Sequence, residues 1–146
     1  KLKANIEYTT PHGHVYRTDH KGRIKEVYAD DLSLLDGGRN SYAQRTVGRE
    51  DRLPDDDGGH LIARGFGGSK DIDNLVPQSK YINRSFKENG EWYNMEKDWQ
   101  KAIKGGGTIK NIKIEVKYSE NSQRPNKFDV SCEINGEERL YSIENI

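Results

Sequence analysis

One cysteine, one methionine and four prolines in 146 residues leave little room for several kinds of chemistry. Cys132 is alone, so no disulfide closes within the chain, and a thiolate zinc site is excluded. No apolar run approaches the roughly 18 residues that cross a bilayer as a helix, so no membrane is expected as a partner. No charged start leads into an apolar stretch, so no secretory leader is expected, and a chain opening on Lys1 reads as a piece of something longer. Charge of one sign is missing too, since 24 basic and 24 acidic side chains cancel. That excludes the broad basic surface of a protein that coats nucleic acid, but not a local basic groove. Hydrophobic residues make up only 32%. Disorder by composition needs such scarcity together with a large net charge, so a polar folded domain with long loops is expected, a single one over 1–146.

Patterning then places the elements. Residues 5–9 and 14–18 alternate weakly and 23–29 alternate well around a turn at 19–22, so the N-terminal region 5–50 reads as β-hairpin. DGGRN at 36–40 and PDDDGGH at 54–60 read as breakers. Leu61 to Ala63 is a short apolar run, and NLVPQ at 74–78 carries a proline that suits an edge strand. From Lys80 the period lengthens. Tyr81, Ile82, Phe86, Trp92, Met95, Trp99 and Ile103 predict two helical segments broken at Asn89-Gly90 and stopped by the glycines at 105–107. Residues 109–118, 127–134 and 139–143 alternate as strands, with NGEE at 135–138 as a hairpin turn. The C-terminal stretch 109–145 is therefore a β-meander, its Lys110, Lys113 and Lys117 a solvated face, and the whole is α+β.

Chemistry belongs in 55–104. Phosphodiester hydrolysis needs a base for the attacking water and positive charge for the phosphate and the departing oxygen. A histidine near neutral pH serves the first need and a hard cation the second. Magnesium keeps most of its waters, so one asparagine oxygen is a sufficient protein shell. Taken alone, His60 reads as a histidine bonding a turn, Asn83 as a helix cap, and Glu96 as a solvated helix residue. His12, His14 and His20 lack company and read as surface residues. Trp92 and Trp99 read as core.

The stretch DDDGGHLIARGFGGSKDIDNLVPQSKYIN resembles the ββα-metal, or His-Me finger, motif of the DNA/RNA non-specific endonucleases. The family pattern runs Asp-Arg-Gly-His, an apolar strand, a loop, Asn-Leu-x-Pro-Gln, an asparagine on the helix and a later glutamate. It is met here by Asp57 to His60, Asn74 to Gln78, Asn83 and Glu96. The form GGHLIA with FGGS and NLVPQ is most similar to nuclease domains at the C-termini of secreted bacterial polymorphic toxins.

The resemblance implies a ββα-metal finger flanked by antiparallel strands. It also implies a Mg²⁺ ion, with Mn²⁺ or another divalent cation as substitutes. His60 is then the base, Asn83 the metal ligand, and Glu96 the holder of the metal's waters. Asp57, Asn74 and Gln78 are supports: Asp57 for the His60 loop or its tautomer, Asn74 for the following loop, Gln78 for the turn. It implies a nucleic-acid substrate, DNA ahead of RNA, read with little sequence preference. It further implies secretion within a larger toxin, action in the cytoplasm of a target cell, and a cognate immunity protein. Two departures stand out. The arginine that helps hold phosphate is Gly58 here, leaving Arg64, Arg84, Arg52 and Lys101 as candidates in that order. Glu96 follows Asn83 by 13 positions, about 140° away on one straight helix, so the chain must break between them or Glu91 must serve instead. A non-cleaving binding module on the same scaffold, or a site-specific cutter, are the other readings.

Overall fold

A computed structural model describes residues 2–35, 41–85 and 90–146, with the backbone alone for Ser41. The breaker at 36–40, Phe86 and Asn89 lie outside the described residues. The N-terminal region forms three strands, β1 (Glu7–Thr9), β2 (Val15–Thr18) and β3 (Ile24–Leu32). The turn between β2 and β3 is closed by Asp19, whose Oδ1 accepts from the amides of Lys21 and Arg23 at 2.9 and 3.0 Å. The C-terminal meander is β6 (Ile109–Tyr118), β7 (Pro125–Ile134) and β8 (Glu137–Glu144). Asn135 and Gly136 turn β7 into β8 with φ of 53° and 82°, the two left-handed positions of a tight hairpin.

The two ends of the chain share one sheet, of order β1-β2-β3-β6-β7-β8, antiparallel throughout. β3 meets β6 with Val27 opposite Ile114 and Ala29 opposite Ile112. Ile109 and Ile112 are both buried although an odd spacing should put them on opposite faces. A bulge between Lys110 and Lys113, with Asn111 at φ 50°, absorbs the extra residue. Lys110, Lys113 and Lys117 are exposed, as their alternation predicts.

Between β3 and β6 lies the finger. β4 (Asp56–His60) pairs antiparallel with β5 (Leu75–Ser79), from Asp56 opposite Ser79 to His60 opposite Leu75. This corrects the expectation of a breaker at 54–60, and the strand ends at His60 rather than continuing through Leu61–Ala63. The two glycines are there because neighbours press on the strand. A Cβ at Gly58 would lie 2.3 Å from the Gln44 carbonyl oxygen, and one at Gly59 would lie 2.3 Å from Gln78 Oε1. After β5 come α2 (Lys80–Asn83), capped by the Ser79 hydroxyl, and α3 (Glu91–Lys104). They are separate helices, as predicted.

α3 buries Trp92, Met95 and Trp99. Trp92 meets Phe128 of β7 edge-on at 5.0 Å, and Trp99 meets Phe66 at 6.0 Å. These contacts place the helix on the sheet. Leu61, Ile62, Val76 and Ile82 of the finger belong to the same buried cluster as Ile112, Ile114 and Val130 of the sheet. Burying an aliphatic side chain of this size stabilises by about 1.5–3 kcal/mol. A short helix α1 (Ser41–Thr46) closes the other side of the finger, where Ala43, Val47 and Leu75 form a second cluster.

Candidate active site

β4, α1, α2 and α3 enclose an open cleft of about 940 Å³. Its floor is β4, with Asp57, Gly58 and His60. One wall is α1 with Gln44 and Arg45, backed by Arg52. The other is the end of α2, Asn83 and Arg84, and one face of α3. That face follows from helical spacing: Tyr93, Glu96 and Gln100 recur every three to four residues, about 100° round the helix from the buried Trp92, Met95 and Trp99. Glu96 thus turns into the cleft that holds Asn83, and the break between α2 and α3 removes the 140° conflict of a single helix. Glu91, five residues earlier, is exposed and does not line the cleft.

His60 closes β4 and is 8% exposed. The chain leaving it is held by Asn74, which is fully buried. Asn74 Oδ1 accepts from the Ile62 amide at 3.0 Å and from the Tyr16 hydroxyl at 2.5 Å, and its Nδ2 donates to the carbonyls of Ile62 at 2.7 Å and Ser69 at 2.8 Å. All four bonding positions of the carboxamide are used. Through Tyr16 the His60 loop is tied to β2. Burial, together with Tyr8 and Asp73, pushes the Tyr16 phenol well above its ordinary value, so it stays a donor.

Asp57 bonds the end of α2. Its Oδ2 accepts from Asn83 Nδ2 at 3.1 Å, and both of its oxygens accept from Arg84. Burial pushes the Asp57 carboxyl up, but the Arg84 and Asn83 hydrogen bonds and the charges of Arg84 and Arg52 outweigh it and hold the group below its usual value. A carboxylate offers only acceptors, so the Asn83 amide is held with its nitrogen toward Asp57 and its oxygen turned elsewhere. Gln78 is fully buried beside Gly59, and its side-chain amide has no hydrogen-bond partner among the described residues.

Of the four phosphate candidates, Arg64, Arg84 and Arg52 line the cleft and Lys101 does not. The sequence reading missed Arg45. Its signal lay in the segment SYAQRTVGRE, 41–50, whose placement against β4 only packing reveals. It also misjudged His14, which is 3% exposed. Burial first, then His12, lowers the His14 pKa against the pull of Asp31. His12 and His20 are exposed.

Oxygen donors of one amide and one carboxylate beside an imidazole suit a hard cation that keeps its waters. Among the described residues no three His, Cys, Asp or Glu side chains gather into a fuller cage. Asn83 and Glu96 are therefore the residues that fit such an ion.

Comparison with known proteins bears on the fold and the family. NucA from Streptococcus agalactiae, in a crystal structure with no metal bound, superposes with a TM-score of 0.67 at 16% identity, covering 99% of this chain and 75% of that one. Its form with magnesium ion bound gives 0.68 at 17% identity, with the same coverage. These show the shared fold. The type VII secretion system protein EssD of Staphylococcus aureus strain USA300 is 74% identical over 145 residues, 99% of this chain. EssD of strain Newman matches equally, and the chain spans 24% of the length of these relatives. The profile of the DNA/RNA non-specific endonuclease family matches residues 4–136, and the chain belongs to that family.

Proposed function

We propose that this chain is a divalent-cation-dependent endonuclease domain that hydrolyses DNA phosphodiesters with little regard to sequence. The observation that carries the reading is a single cleft lined by His60, Asn83, Glu96 and several arginines. His60, positioned by the strand end and by Asn74, takes the proton from the attacking water. Asn83 and Glu96 would hold the cation, the amide through its oxygen and the carboxylate through water. When bound, such an ion supplies positive charge to the phosphate and the departing oxygen. Magnesium is the ion named for the NucA structure, and it suits these donors. DNA is favoured over RNA, and the product carries a 5′-phosphate.

The same reading makes the chain, one domain over 1–146, the toxic portion of a larger type VII effector. It is exported, acts in the cytoplasm of a target cell, and is restrained by a dedicated immunity protein. The support is the high identity to EssD, of which it spans about a quarter.

The test is incubation of the protein with supercoiled plasmid and with total RNA, with and without Mg²⁺. Plasmid should degrade to a smear only with the metal, and a chelator should stop it. His60→Ala should lower the rate by about 100- to 10,000-fold. Cleavage that survives the chelator, or a His60→Ala protein as fast as the parent, sinks the proposal.

A further inference from the structure

We infer that Arg45 grips the scissile phosphate, an assignment that rests on the nuclease reading above. Charge grows on a phosphodiester as water attacks it, and a preorganised donor aimed at that charge lowers the barrier most. Such a donor must not already be spent on the protein. Four arginines line the cleft. Arg84 is committed to Asp57 through its Nε and Nη2. Arg52 gives Nη1 to the Gln44 carbonyl at 2.6 Å and Nη2 to the Asp56 carbonyl at 2.8 Å, stitching α1 to β4. Arg64 gives Nη1 to the Gly68 carbonyl. Arg45 is exposed in the last turn of α1, and no described residue takes a hydrogen bond or ion pair from its guanidinium.

Its mount is rigid although its head is uncommitted. The Gln44 backbone presses so closely on β4 that a Cβ at Gly58 would lie 2.3 to 2.7 Å from its carbonyl oxygen, Cα and carbonyl carbon. The residue after Gln44 is therefore fixed beside the strand that ends in His60. Diverting Arg84 to the phosphate instead would strip the half-buried Asp57 of its partner and loosen Asn83. The space a side chain at position 58 would need is filled by α1, and α1 supplies the cation.

Cleavage of supercoiled plasmid in Mg²⁺ by the whole chain tests this. Arg45→Ala should lower kcat/KM by about 100-fold or more with an unchanged melting temperature. Arg45→Lys should recover part of the loss, because a point charge replaces a two-pronged donor. Binding of a duplex oligonucleotide in chelator should lose about one unit of salt-dependence slope in Arg45→Ala. Arg139→Ala, outside the cleft on β8, should match the parent. An Arg45→Ala protein that cuts at the parent's rate overturns the assignment. So does a loss of rate that accompanies loss of the fold in both Arg45→Ala and Arg45→Gln. A parent protein that leaves plasmid intact overturns the nuclease reading itself, which separates the two failures.

Discussion

Asp57 shows how a side chain with no reach to the reacting atoms can still set the chemistry. Its carboxylate accepts from Asn83 Nδ2 and so decides which end of that amide faces the cleft. Asp57→Asn removes this bias, since an amide offers a donor as readily as an acceptor. The expected result is a cleavage rate about 10- to 100-fold lower, with weaker apparent metal affinity and a small fall in melting temperature. Titrating Mg²⁺ against cleavage rate checks it. The acid behaviour follows from the same contacts. The Asp57 pKa is lowered from an ordinary 3.8, so the stability it contributes is intact above pH 3.8 and is lost as pH falls through the lower folded value. Acid unfolding curves of the parent and of Asp57→Asn should differ in the steepness of that limb. His60, Asn83 and Glu96 were singled out because the stretch 57–96 resembles a family motif; residue type alone left them a turn histidine, a helix cap and a solvated glutamate. Arg45 and the Asp57–Asn83 bond were not, because each depends on how two elements meet in space.

At the scale of the element, β4 is the instructive case. Gly-Gly after three aspartates has the composition of a loop, and intrinsic propensity argues against a strand. The strand forms because β5 supplies a ladder and because α1 and Gln78 occupy the space that side chains would need. Gly58→Ala should therefore cost about 1–3 kcal/mol, read from the denaturant midpoint, as backbone of α1 and β4 is forced apart. Gly105→Ala is the contrast. It lies just past α3 at φ −81°, where a Cβ would come no nearer than 3.3 Å to any neighbour, and the change should stay within about 0.5 kcal/mol. The outer strands were legible because alternation is a local signal. The bulge at Asn111 was not, since it answers to the face that β3 and β7 bury.

Across the whole molecule, finger and sheet are joined by charge as well as by core. Asp56 of β4 is almost fully buried, and Arg124 beside β7 grips it with Nε at 2.7 Å and Nη2 at 3.0 Å. Asn145 adds a second tie, accepting from the Ser79 amide at 2.7 Å and donating to the carbonyls of Pro77 and Pro125. Arg124→Ala leaves the Asp56 carboxylate buried without its partner and should cost about 3–5 kcal/mol in chemical unfolding. The double variant with Asp56→Ala should regain part of that loss. Asp56 was read only as part of a turn and Arg124 was not singled out, since nothing local links position 56 to position 124.

The seam between β3 and β6 has a temporal meaning. Residues 24–32 leave the ribosome long before 109–118, so the free edge of β3 must wait for its neighbour while the intervening finger is synthesised. A growing polypeptide can carry every cleft side chain and still lack the sheet on which α3 rests, so the blade is synthesised before the handle that sets its edge.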